Sequence, residues 1–364
     1  MDNVDLLTNP IKDYGWGSRT AIAALMGRTA TGPEAEMWLG AHPSGPSRLT
    51  RDGVEHALNE IIAADPAGEL GPEVVERFGE RLPYLMKLIA VDAALSMQVH
   101  PTLDQAAEGF LRGDKNYSDP WPKPEMIVAL TPFSALAGFR PGPEAAALVA
   151  ALELPALQPV ADRLAAGDVL GALRVLLEWP AGERPALVAD VVRASCDPLV
   201  ATLAETYPAD PAVLAPLLMR HHELAPGQAL YLGAGVLHAY LSGFGVEIMG
   251  SSDNVLRAGL TPKPIDVEEL LRITDPGEQP AEIAPVGDLY LPHCPEFQLR
   301  RIAPDEGRTL PGGVPRIAVC VEGEVVLDGE LKLHPGDSAF HAASAGDFEV
   351  TGAGVVFVAE PRQN

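Results

Sequence analysis

A histidine, a glutamate, an aspartate, an arginine and a lysine (His238, Glu247, Asp253, Arg257 and Lys263) fall between positions 238 and 263, set among Gly, Ser and apolar residues. Ordinary loops and strands do not carry charge at this density in an apolar frame, and the stretch reads as one wall of an active site. Two more stretches carry groups that could work with it. In Leu95-Ser96-Met97-Gln98-Val99-His100-Pro101, strand geometry puts Ser96, Gln98 and His100 on one face and Met97 and Val99 on the other. Such a strand is either the inner wall of a site or an edge showing its polar face to water. In Tyr117-Ser118-Asp119-Pro120-Trp121-Pro122-Lys123-Pro124-Glu125, the three prolines exclude a helix and hold the chain extended. The proline after Lys123 biases that residue to the β region, so Lys123 and Glu125 face the same side.

These stretches need a scaffold. Residues 1–141 mix strand and turn signals with helical pieces at 53–64 and 72–80, and Leu85–Val91 reads as a buried strand. From Gly142 to Met219 alanine, leucine and valine recur at helical spacing, in Glu144–Leu152, Val160–Ala166, Val169–Leu177, Pro185–Ala194 and Pro211–Met219. This is a helical insert with no sign of chemistry. Adjacent His221 and His222 would point to opposite sides of a strand. Ile265–Ile273 reads as a short acidic helix. From Val286 onward the pattern is all β, with strands near 297–302, 315–321, 324–327, 338–341, 347–350 and 354–359 and hairpin signals at Glu322-Gly323 and Asp328-Gly329. The run from Pro226 to Tyr231 is echoed by His334–Phe340. In the first copy a Gly turn leads to His238, and in the second the matching place falls on Asp347. Two related β-barrels are expected, of which only the first kept its ligand. The expected division is 1–141 with 220–280, a helical insert at 142–219, and a C-terminal β unit at 285–364.

The net charge of −24 argues against nucleic acid and acidic membranes as partners. A small anionic substrate is compatible with it, because exposed acids are screened over about 8 Å. Lys87, Lys123, Arg257 and Lys263 supply the local positive cluster such a substrate needs. Cys196, Cys294 and Cys320 have no paired spacing, which points to free thiols. No N-terminal stretch combines basic residues with a long apolar run, and no segment approaches the ~18 apolar residues of a membrane span. A cytoplasmic location is expected.

With Gly227, Gly235 and His238 in place, and Gly233 where proline is usual, the first copy resembles the second motif of the cupin family of small β-barrels. The longer run His238–Lys263 resembles the signature of the type I mannose-6-phosphate isomerases, with Gly250 where alanine is usual. Lys123-Pro124-Glu125 and Ser96–Pro101 resemble two further motifs of that family, and Tyr14–Gly17 and Glu36–Pro43 also look familial. One departure stands out: Trp121-Pro122 occupies the place of the family's Asn-His, so no histidine at that position can carry the proton here.

The resemblance implies a mainly β fold of two cupin-like, jelly-roll barrel domains plus an α-helical domain. It implies one Zn²⁺ per chain held by Gln98, His100, Glu125 and His238, a set that suits zinc chemically. It implies interconversion of mannose 6-phosphate and fructose 6-phosphate through an enediolate, between glycolysis and GDP-mannose synthesis. In that reading Arg257 stabilises the enediolate and steers the proton. Glu247 is the candidate base, Lys123 an acid or phosphate contact, and Asp253 a partner that orients Arg257. Ser96, Lys87, Tyr240 and Lys263 are the candidate substrate contacts. The expected partner is a small sugar phosphate, with no nucleic acid or membrane; a monomer is expected, a dimer being the alternative. A zinc cupin that binds sugar phosphates only as a regulator would keep the ligands without the proton-transfer groups, which Arg257, Lys123 and Glu247 argue against. A metal-dependent oxygenase would want an H-x-H pair, and Gln98 stands at its first position.

Overall fold

The computed structural model describes residues 4–303 and 307–363. Its axis is the long strand His238–Gly250, which pairs with four others. The first half lies against Phe133–Phe139 and Met97–Val99, and the second against Tyr84–Val91 and Glu125–Ala129. The change of partners coincides with a register shift between Tyr240 and Ser242 and with Gly243 at φ 125°. A Cβ at Gly243 would lie 2.6 Å from the Phe133 ring, so only glycine lets the strands approach here.

Around this strand the first sheet runs Ala281–Ile283, Ala229–Leu232, Glu125–Ala129, His238–Gly250, Tyr84–Val91, Glu36–Leu39 and Ile11–Lys12. Met97–Val99 is not an edge: it pairs on one side with His238 and on the other with Leu256–Gly259. The second sheet is built from Gln298–Ile302, Arg316–Leu327, Ser338–His341 and Phe348–Glu360. The strand Val4–Leu7 also joins it, pairing with Ser338–His341, so the N-terminus departs from the expected division of the chain. A shared apolar core seals the sheets together, with Met86, Leu88, Val246 and Ile248 meeting Phe297, Ile317, Phe340 and Phe357. Each fully buried side chain of this kind is worth roughly 1.5–3 kcal/mol.

The insert forms the helices Gly142–Ala150, Gln158–Ala165, Val169–Leu177, Arg184–Ala194 and Pro198–Thr206. Its buried face packs on Met97, Val99, Leu237, Ala239, Leu256 and Ala258. The site strands are therefore backed by helices on their apolar side, which leaves the alternate, polar side for the site. The fold is mainly β with a helical insert. No helix among the described residues is long and apolar enough to cross a membrane, and Cys196, Cys294 and Cys320 are free.

Local differences from the sequence reading have local causes. Residues 54–57 are a strand paired with Arg48–Arg51, and the helix starts only at Leu58. Asp52 and Gly53, both at positive φ, make a tight turn that the apolar spacing concealed. Asp328-Gly329 is a hairpin turn as expected, whereas Glu322-Gly323 lies inside the continuous strand Arg316–Leu327, at a bulge after Cys320. The segments 347–350 and 354–359 likewise merge into Phe348–Glu360. The expected helix at 211–219 splits into a 3-10 turn, Pro211–Leu214, and a short helix, Ala215–Leu218, with Met219 opening the next strand. The internal echo is structural: Gly227 and Gly336 share a positive φ and each leads into a short strand.

Candidate active site and metal centre

Strand alternation assembles the site. Tyr84–Val91 turns Met86 and Leu88 towards the second sheet and Lys87 and Ile89 into a cavity of about 470 Å³. His238–Gly250 does the same, with Val246 and Ile248 outside and Glu247 and Met249 inside. Lys87 and Glu247 are direct cross-strand partners. Gln98 sits across from both His238 and Arg257. The cavity wall includes Lys87, Ser96, Gln98, Lys123, Glu125, Tyr240, Glu247, Asp253, Arg257 and Lys263. The two remaining candidates, His100 and His238, are buried with Glu125.

His100, Glu125 and His238 place one ligand atom each within 4.8 Å of one another. His100 Nε2 is 3.1 Å from Glu125 Oε1, and His238 Nε2 is 3.2 Å from Glu125 Oε2. The tautomers follow from the other ring nitrogens: His100 Nδ1 donates to the Asn254 carbonyl (2.7 Å) and His238 Nδ1 to that of Val236 (2.9 Å). Both Nε2 atoms then present lone pairs to an ionised carboxylate. Both, together with Glu125 Oε2, are buried without a hydrogen-bond partner. Lone pairs converging in this way are unfavourable unless a cation sits among them, so the residues fit a metal. Burial and Lys123, opposed by Glu125, push the His100 imidazole down to about 4, which keeps it in the neutral form a metal binds. Burial would raise the Glu125 carboxyl, but Lys123 beside it holds it well below the usual carboxylate range.

Beside this cluster lies a chain of charges. Lys87 Nζ is 3.0 Å from Glu247 Oε2 and 3.5 Å from Glu36 Oε1, and Trp38 Nε1 donates to Glu36 Oε2 at 2.7 Å. Burial would lower the lysine, but Glu247, Glu36 and Glu125 together raise it, so it stays charged. Burial raises the Glu247 carboxyl and Lys87 only partly offsets this. Lys123 Nζ is 2.8 Å from Glu125 Oε1. The Arg257 side chain, half-buried, forms no hydrogen bond or ion pair among the described residues, and Lys263 forms no ion pair there. Asp253 does not reach Arg257 as expected. It accepts from Ser44 Oγ at 3.0 Å and lies 3.5 Å from His42 Nε2, because the turn that carries it faces the loop after Glu36–Leu39. His221 and His222 lie outside the site, bonded to Ser134 Oγ and the Ala137 carbonyl.

Against known proteins, the chain is 35% identical to the mannose-6-phosphate isomerase of Escherichia coli (strain K12), over 96% of this chain and 97% of that one. The chain belongs to the mannose-6-phosphate isomerase family. Residues 5–142 match the family described as phosphomannose isomerase type I, catalytic domain. The rat mannose-6-phosphate isomerase is 30% identical over 92% of each chain. A crystal structure of zinc-bound mannose 6-phosphate isomerase superposes with a TM-score of 0.90 at 31% identity, covering 99% of this chain and all (100%) of that one.

Two positions where this chain departs from the motifs it resembles meet in space. A Cβ at Gly250 would lie 2.7 Å from the Pro122 carbonyl oxygen and 3.0 Å from Pro124 Cδ. The glycine therefore accommodates the path of Trp121-Pro122. Gly250→Ala should force the arm away and cost about 1–3 kcal/mol as overpacking, read from urea unfolding.

Sequence reasoning passed over Glu36 and Trp38. Their two-residue spacing and the pairing of Trp38 with Lys87 set them at the cavity, but the spacing alone does not name the partner strand. It also passed over Asn254, which lay in plain view inside the longest motif.

Proposed function

We propose that this protein interconverts D-mannose 6-phosphate and D-fructose 6-phosphate as a zinc enzyme. The observation that carries the reading is the convergence on one cavity of a three-ligand cluster, a buried carboxylate and cations of unequal freedom. Zinc held by His100, Glu125 and His238, with Gln98 beside them, would supply a Lewis acid for the sugar oxygens.

The chain's own groups account for the proton transfer. Glu247, its carboxyl raised by burial, takes the C2 proton of the open-chain aldose and returns it at C1. Arg257 aims an unengaged fork of donors at the enediolate oxygens. Lys87 keeps Glu247 in place. Of the four cations at the cavity, Lys87 and Lys123 are held by carboxylates and Arg257 serves the enediolate, so the exposed Lys263 supplies the positive charge available to a phosphate. Ser96 and Tyr240 are the polar contacts for the sugar. The Tyr240 hydroxyl is buried beside the Glu247 carboxylate.

We read the first sheet as a cupin-like barrel that kept its ligands and is interrupted in sequence by the helical insert, and the second as a related barrel that lost them. The working partner is the sugar phosphate, without nucleic acid or membrane, in a cytoplasmic monomer.

Purified protein assayed with both sugar phosphates, before and after exhaustive chelation, tests the reading. Turnover should disappear on chelation and return with zinc. No turnover by the zinc-loaded protein would refute the isomerase, and turnover surviving complete removal would refute the role of zinc. Arg257→Ala should retain zinc and lose about 10²–10³-fold in kcat, the usual cost of removing one donor to a developing oxyanion. An unchanged kcat would remove Arg257 from the mechanism.

A further inference from the structure

Residues 118–124 bring Lys123 and Glu125 into the site with no regular secondary structure. Pro120, Pro122 and Pro124 lack an N–H, so a β-ladder cannot hold this arm. Beyond the Gly250 N–H bond to the Pro124 carbonyl (2.8 Å), one buried amide takes the ladder's place. Asn254 Oδ1 accepts from the Ser118 N–H at 2.8 Å, and Nδ2 donates to the carbonyls of Asp119 (2.8 Å) and Trp121 (2.9 Å). The main-chain oxygen of the same residue accepts from His100 Nδ1 at 2.7 Å. Ser252 braces the arrangement: its Oγ donates to Asp119 Oδ1 at 2.8 Å and accepts from the Asn254 N–H at 3.1 Å. Asp119 in turn accepts from the main-chain N–H groups of Trp121 and Asp253. A primary amide offers donor and acceptor together in the geometry of a peptide group. An aspartate would keep the acceptor and turn the donors into a second acceptor facing two carbonyls.

We propose that Asn254 is a positioning residue: it locks the arm that carries Lys123 and Glu125 to the backbone that orients His100, so that the ligand set is assembled as one unit. Asn254 does not itself reach the ligand atoms; it acts through Glu125 and His100. The inference rests on the metal reading of the His100–Glu125–His238 cluster.

The test uses the full chain with Asn254→Asp and, separately, Ser252→Ala, which removes one hydroxyl of the same clamp and leaves the amide. Three quantities are measured: the zinc dissociation constant by competition with a chromogenic chelator, amide hydrogen exchange of the segment 117–126 in metal-free protein, and kcat and KM in excess zinc. Asn254→Asp should weaken zinc binding by about 10–100-fold, the range for groups that orient metal ligands. Exchange in 117–126 should quicken at least about tenfold while the strand Arg316–Leu327 keeps its protection. Ser252→Ala should show smaller changes of the same kind, and it carries the test if Asn254→Asp does not fold. Zinc affinity within about twofold of the parent in the folded variants overturns the proposal. Exchange that quickens uniformly along the chain also overturns it, since that is the mark of a merely structural role. Parent protein that binds no zinc would refute the metal reading instead, and zinc-bound parent without turnover would refute only the isomerase.

Discussion

Glu247→Gln should lower kcat by about 10²–10⁴-fold, the range for loss of a positioned general base, with KM changed far less. The cavity offers four groups that could move the proton, and their surroundings rank them. Glu36 accepts from Trp38 Nε1 and faces Lys87, so its lone pairs are engaged. Lys123 is held by Glu125. Asp253 has a side chain 45% exposed and bonded to Ser44, turned towards the loop after Glu36–Leu39. Glu247 is buried, faces the cavity and has Lys87 as its single ion-pair partner among the described residues. Its carboxyl is raised above the ordinary value by burial, which gives it a greater proton affinity than an exposed glutamate. Because the base must be ionised, kcat/KM should fall as pH drops through a pKa higher than that of an ordinary glutamate, and Glu247→Gln should abolish that limb. A glutamine variant within about tenfold of the parent, with the limb intact, would pass the role to another group.

His238→Ala should abolish turnover and the stabilisation of the protein by zinc. This residue closes the cluster from the first position of the long strand, and its Nδ1 bond to Val236 already aims Nε2 at Glu125. Removing the imidazole leaves one carboxylate oxygen and one nitrogen facing an empty volume, so zinc affinity should fall by more than the ~10–100-fold that loss of an orienting partner costs. A ligand bound only by the folded state stabilises it by about 2.7 kcal/mol at a hundred times its Kd. The parent's Tm should therefore rise with added zinc, while that of His238→Ala should not. A variant whose Tm still follows zinc would place the metal elsewhere.

The amino-acid sequence by itself determined the strands that carry the site and the faces they show, because period-two alternation is a local property. Ser96, Gln98 and His100 against Met97 and Val99, and Lys123 and Glu125 on one side of the proline arm, follow from spacing alone. The helical insert was equally legible from its apolar recurrence. Misreadings fell where a turn or bulge interrupts a pattern, at Asp52-Gly53 and Glu322-Gly323, since a backbone with positive φ leaves the hydrophobic periodicity on either side intact. Only the tertiary structure decided which polar faces meet. It joined Lys87 to Glu36 and Glu247, turned Asp253 from Arg257 to Ser44 and His42, and left Arg257 unengaged. It also set Asn254 between the arm and His100. Contacts between distant segments depend on strand order and register, and a local pattern of residue types does not encode which strand becomes its neighbour.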